Sequence, residues 1–60
     1  MFNYSEQQLV GMALRKYGGG FAKSLGMALM HADSDNCERI KSAFPELWSQ
    51  YLEMSDHLEE

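Results

Sequence analysis

Residues 18–32, Gly-Gly-Gly-Phe-Ala-Lys-Ser-Leu-Gly-Met-Ala-Leu-Met-His-Ala, decide the fold. The glycines at 18–20 predict the end of one helix, because we expect glycine there to adopt a positive φ. A second helix then runs from about Phe21 to Ala32. Ala22 and Gly26 lie four apart and form a small-residue groove that another helix can approach closely, which explains a glycine in a helix interior. The main apolar face of this helix has five members at helical spacing: Phe21, Leu25, Ala28, Leu29 and Ala32.

A first helix precedes the glycines and runs from about Glu6 to Tyr17. Ser5 is typical of an N-cap residue, and Gln8 three residues later completes a capping box. We therefore expect the first helix to begin directly after Ser5.

Two shorter helices follow the second one. Asp35 and Glu38 have capping-box spacing and predict a third helix from about Asn36 to Ala43. Pro45 disfavours helical geometry at the preceding residue and suits the first position of a new helix. We expect the fourth helix to run from Pro45 to about His57.

These segments define the fold class as all-α, a small bundle of three to four short helices in one domain over residues 1–60. We expect residues 1–4 and 57–60 to be frayed. A chain of 60 residues buries only about 60% of the surface that its unfolded form exposes. With Cys37 as the only cysteine, no internal disulfide compensates for the thin core.

The thin core and the surplus of apolar residues predict self-association as a dimer or higher oligomer. We expect this interface to lie on the second and fourth helices. Its predicted residues are Leu25, Met27, Leu29, Met30, Trp48 and Tyr51.

The net charge of −4, from nine acidic and five basic side chains, argues against nonspecific nucleic-acid binding, which needs Lys and Arg to neutralise phosphates. The first residues lack the basic and apolar regions of a signal peptide. No apolar run approaches the length of about 20 residues that spans a bilayer. We therefore expect a cytoplasmic protein that does not contact membranes.

A candidate anion site lies at the glycine run, because free backbone N–H groups at a helix start attract anions. Three of the five basic side chains flank this run. The alternative interpretation is a flexible turn with solvated lysines. The predicted ligand-binding residues are Arg15, Lys16, Gly19, Gly20, Phe21 and Lys23.

Residues 31–37 contain His, Asp and Cys side chains at alternate positions, but they match no metal template. The glycine and glutamate of a calcium loop are missing, and His57 is the only spare histidine for a zinc site. A dyad of Cys37 with either histidine lacks a third group and an oxyanion hole. We expect neither a metal, nor a cofactor, nor catalysis.

The segments Gly19–Leu25 and Ala43–Tyr51, with Ala32-Asp33, Asn36 and Arg39-Ile40 between them, resemble short hypothetical proteins of bacteriophages and prophages. Those proteins share a Gly-Gly-Phe start, an Ala-Asp…Asn turn and an Ala-Phe-Pro-Glu…Tyr end, and they mostly lack an assigned function. The resemblance implies a phage-type origin and a location in the cytosol of a bacterial host. Small accessory proteins of this kind often antagonise host defences.

The sequence therefore favours a non-catalytic accessory protein that binds and inhibits a host defence protein, acting as a small helical oligomer. Its acidic surface would mimic nucleic acid toward a basic partner. An alternative function is an oligomeric sponge that sequesters a small anionic ligand, such as a signalling nucleotide, at the glycine-rich start of the second helix. A third is a component of virion assembly.

Overall fold

The structure is a computed structural model and describes residues 5–58. Within that range lie four α-helices: α1 (Glu6–Tyr17), α2 (Gly20–Met30), α3 (Ser34–Ala43) and α4 (Pro45–Met54). A 3₁₀ turn at Ser55–His57 follows α4. The described residues form no strand, and the prediction of a small all-α bundle is confirmed. Of the residues expected to be frayed, 1–4 and 57–60, only 57 and 58 lie within the described residues, and their fraying stays a prediction.

The capping box at the start of α1 is confirmed. The backbone N–H of Gln8 donates to Ser5 Oγ at 3.2 Å, and the backbone N–H of Ser5 donates to Gln8 Oε1 at 2.9 Å. Each bond pairs a backbone N–H group that would have no partner at an uncapped helix start. The helix therefore begins at Glu6, as the sequence predicts.

Helices α1 and α2 form a closely packed hairpin. A Cβ atom built on Gly26 would lie 2.8 Å from both the Gly11 carbonyl oxygen and the Leu14 Cβ. The close approach expected at Ala22 and Gly26 is thus confirmed, and the helix that approaches is α1 of the same chain.

The prediction that the glycine run adopts a positive φ is wrong, since no described glycine has a positive φ. Gly18 is extended, with φ −85° and ψ 160°. Its role is to allow close packing instead: an added Cβ would lie 2.6 Å from the Leu14 carbonyl oxygen and would collide with the Ala22 side chain.

Helix α2 begins one residue before its predicted start and ends two residues before its predicted end. Gln7 binds at the C-terminal end of α2, where its Nε2 donates to the carbonyl oxygen of Leu29, in the last turn, at 2.8 Å and to that of Ala32, beyond the helix, at 2.9 Å. The Ala32 N–H donates to the Leu29 oxygen, three residues back. These bonds satisfy backbone groups that the helix end at Met30 leaves without an α-helical partner.

The predicted cap of α3 was misplaced. Asp33 is the N-cap, because its Oδ1 accepts the Asn36 N–H at 2.8 Å. The helix consequently begins at Ser34, and Asp35 lies in its first turn rather than at its cap.

The break before α4 is confirmed. Phe44 has φ −130° and ψ 59°, outside helical geometry, and Pro45 is the first residue of α4. The predicted helix to His57 is wrong in its last turn, because α4 ends at Met54 and a 3₁₀ turn continues the chain.

One core joins the helices, and most helix–helix contact is between α1 and α2. Leu14, Leu29 and Val10 are its largest fully buried side chains. The remaining buried apolar residues are Ala13, Ala22, Cys37, Trp48 and Tyr51.

Candidate functional site

The structure brings together the three basic side chains that the sequence placed around the glycine run. Arg15, Lys16 and Lys23 line one open cavity of about 500 Å³ between α1 and α2. We call it the basic groove, and its other lining residues are Met12, Met27 and Leu58.

The glycines themselves do not take part in this cavity. Gly19, Gly20 and Phe21 are exposed and are absent from its lining. Anion binding at the start of the second helix stays a prediction, and its three basic side chains line a cavity on the side of the α1–α2 hairpin.

The C-terminal end of the described chain holds one side of the basic groove. Lys16 Nζ donates to the Leu58 carbonyl oxygen at 3.4 Å and lies 5.4 Å from the centroid of the Tyr17 ring. The Tyr17 hydroxyl donates to the His57 carbonyl oxygen at 3.1 Å. Carbonyl oxygens at the end of the 3₁₀ turn thus orient the last turn of α1.

Charge is unevenly distributed between the two halves of the chain. Residues 1–32 carry three basic and one acidic side chain, whereas residues 33–60 carry two basic and eight acidic ones. The α1–α2 side is therefore positive although the chain as a whole is acidic.

A second cavity, of about 420 Å³, lies between α2 and α3. We call it the aromatic groove. Phe21 packs edge to face against Phe44 beside it, with ring centroids 5.8 Å apart. Phe21 is 63% exposed and Phe44 38% exposed. The groove is lined by Ala28, His31, Ala32, Asn36, Arg39, Ile40, Ala43 and Phe44.

The six predicted interface residues separate into buried and accessible ones. Leu29, Trp48 and Tyr51 are buried within the single chain, so they have little side-chain surface left to contact another copy. Leu25 and Met30 are half-buried, whereas Met27 is 52% exposed. Self-association stays a prediction, and Met27 is the most accessible of its proposed contacts.

The groups considered for catalysis or metal binding do not converge. No group of three or more His, Cys, Asp or Glu side chains within residues 5–58 is placed to hold a metal ion. Cys37 is buried, and burial raises the pKa of its thiol, with Glu38 adding to the effect. A thiol that stays protonated is a poor nucleophile.

Some residues that line or adjoin these grooves were not predicted from the sequence. Met12 lies four residues before Lys16, and Met27 lies four residues after Lys23. Residues at this spacing share a helix face, which was an available signal that methionines accompany the cations. No local signal connected Leu58 to α1 or Phe44 to Phe21.

No helix within residues 5–58 has the length and apolar character needed to cross a bilayer. Comparisons with protein-family models, with curated proteins and with solved structures found no match to this chain.

Proposed function

We propose that this chain is a non-catalytic accessory protein that binds and inhibits another protein through the aromatic groove. The observation that carries the proposal is the exposure of Phe21, whose ring packs edge to face against the partly exposed Phe44. Burial of a phenylalanine side chain contributes about 1.5–3 kcal/mol. Two such rings side by side are a suitable anchor for a partner.

The groove beside these rings suits an inserted apolar side chain. Ala28, Ala32 and Ala43 contribute small side chains to its lining, and Ile40 adds apolar surface. Small residues let a partner approach the backbone of α2 and α3 closely. An apolar side chain of the partner would therefore fit between α2 and α3.

The charge of the surrounding surface favours a basic partner. The half of the chain that forms α3 and α4 carries eight acidic side chains. Asp35, Glu38, Glu46 and Glu53 are exposed on these two helices. Complementary charge speeds encounter and discriminates among partners, so the expected partner is a protein with a basic surface around an apolar side chain, such as one that binds nucleic acid.

The resemblance to bacteriophage and prophage proteins makes a bacterial host protein, and specifically a defence protein, the expected target. Inhibition would follow if the acidic helices occupy the surface on which that protein binds nucleic acid. No bond-forming chemistry is required of this chain.

The proposal is tested with Phe21→Asp and a matched control, Gln50→Asp, on the exposed face of α4. Position 21 is in the first turn of α2, where a carboxylate is compatible with the helix dipole. Both variants should retain their helical circular dichroism. Each tagged protein is used to capture proteins from a bacterial lysate, and the captured partner is purified and titrated by calorimetry.

We expect one partner whose affinity falls at least about tenfold with Phe21→Asp, the equivalent of 1.4 kcal/mol, and stays unchanged with Gln50→Asp. Capture of no partner, or equal loss with both variants, would refute the use of this groove.

A further inference from the structure

The basic groove has no assigned role in protein binding, and its composition is unusual for this chain. Three of the five basic side chains line it, together with two methionines and Leu58. Its volume of about 500 Å³ lies within the range of small-molecule sites. Sites of that kind combine an apolar lining with a few polar groups, as this groove does.

Among residues 5–58, no carboxylate forms an ion pair with the cations of the groove. Within residues 5–58, the ion pair joins Lys41 to Glu6 at 3.1 Å, and no carboxylate lies within 4.0 Å of Arg15, Lys16 or Lys23. Like charges held close together repel each other. An anion bound among them would relieve that repulsion.

Two of the three cations are held in position by the fold. A Cβ on Gly26 would lie 3.0 Å from the Arg15 Cγ, so the arginine stem packs across the glycine of α2. The Lys16 ammonium is held by the Leu58 carbonyl oxygen. Side chains that are ordered before binding lose less conformational entropy when a ligand arrives.

The apolar part of the lining restricts the class of anion. Met27 is 52% exposed, and Met12 and Leu58 are half-buried. Methionine adapts its shape to apolar and aromatic groups. A ligand with an apolar body covers these side chains, whereas a bare inorganic ion leaves them in water.

We propose that the basic groove binds a small organic phosphate. Arg15, Lys16 and Lys23 pair with the phosphate oxygens through charge-assisted hydrogen bonds, and the apolar body of the ligand lies on Met12 and Met27. The body is either a nucleoside or an alkyl chain. The site is separate from the aromatic groove and does not depend on the protein partner.

The test is isothermal titration calorimetry of the full chain at low salt. The ligands are a nucleoside monophosphate, an alkyl phosphate, inorganic phosphate and the unphosphorylated nucleoside. The variants are Arg15→Gln and Lys23→Gln, with Arg39→Gln as the matched control from the aromatic groove. Circular dichroism checks that every variant folds.

We expect one or both organic phosphates to bind at least about tenfold more tightly than inorganic phosphate and the nucleoside. Arg15→Gln and Lys23→Gln should each weaken that binding about tenfold or more, the usual effect of losing a hydrogen bond to a charged group. Arg39→Gln and Phe21→Asp should leave it unchanged. Binding of only the nucleotide, or only the alkyl phosphate, identifies the body that the groove accepts.

A further variant is expected to have the opposite effect on binding. Glu59 and Glu60 follow Leu58 directly in the sequence, and each adds a negative charge to the chain that repels an anionic ligand. Replacing both with glutamine should tighten binding.

The proposal is overturned if neither organic phosphate produces heat, if inorganic phosphate binds as tightly, or if Arg39→Gln weakens binding as much as Lys23→Gln. None of these outcomes affects the protein-binding proposal, which depends on Phe21.

Discussion

The indole Nε1 of Trp48 donates a hydrogen bond to Glu6 Oε1 at 2.7 Å. The same carboxylate oxygen lies 3.1 Å from Lys41 Nζ, and that ammonium lies 5.5 Å from the centroid of the Trp48 ring. One carboxylate at the start of α1 thereby connects α1 to α3 and α4. The pKa of Glu6 is lowered, first by the Trp48 hydrogen bond and then by Lys41.

This contact predicts how stability depends on pH. A lowered pKa in the folded state means that Glu6 stabilises the fold above its ordinary pKa of 4.5, and that this contribution is lost as the pH falls through the folded value. The pKa of Lys41 is raised by the hydrogen bond that this lysine donates to Glu6, so the stabilisation by this pair is also lost when alkaline pH deprotonates the lysine.

We therefore expect Glu6→Gln to flatten the pH dependence of the free energy of unfolding below about pH 4.5, the ordinary pKa of this carboxyl. The free energy of unfolding at each pH is measured by urea unfolding, monitored through the fluorescence of Trp48, the only tryptophan. Glu53→Gln is the control, because Glu53 is exposed near the end of α4. Equal flattening in both variants would show that Glu6 makes no special contribution.

The close packing of α1 and α2 predicts opposite effects of one substitution at two glycines. Gly26→Ala places a Cβ 2.8 Å from the Gly11 carbonyl oxygen, so the helices must separate. Overpacking of this kind costs about 1–3 kcal/mol, more than the gain of about 1 kcal/mol in helix propensity. At Gly20 an added Cβ meets nothing within 4 Å, and alanine there should be neutral or stabilising by up to about 1 kcal/mol. Thermal unfolding distinguishes the two, and a Gly26→Ala variant as stable as Gly20→Ala would contradict the packing.

Local sequence signals predicted much of this fold. The capping box at Ser5, the break at Phe44 and Pro45, and the small-residue groove at Gly26 each depend on residues within four positions of one another. Their geometry is set mainly by the local backbone, so a short pattern identifies them.

Contacts between distant residues were not predictable in the same way. Glu6 and Trp48 are 42 positions apart, and Gln7 reaches the carbonyls of Leu29 and Ala32 across 22 and 25 positions. Such bonds form only after the helices have packed. The sequence identified the cations of the basic groove but placed them at the glycine run, because it does not show how α1 and α2 face each other.

The cap of α1 predicts a modest and local loss of stability. Ser5→Ala removes the oxygen that accepts the Gln8 N–H, and the loss of a serine N-cap costs about 1 kcal/mol. Ser24→Ala, at an exposed position inside α2, should cost little because alanine is the better helix former. Urea unfolding compares the two variants. If both lose the same free energy of unfolding, the capping box does not stabilise α1.

The proposed binding of a host protein at the aromatic groove is tested most directly by site-specific photo-crosslinking in bacterial cells. A benzophenone amino acid replaces Phe21 in one variant and Gln50 in the other, and the cells are irradiated. We expect the label at position 21 to join the 6.9 kDa chain to one discrete host protein, identified by mass spectrometry, and the label at position 50 to yield no such product. Absence of a product at position 21, a product of only two copies of this chain, or the same product from both positions would contradict the claim.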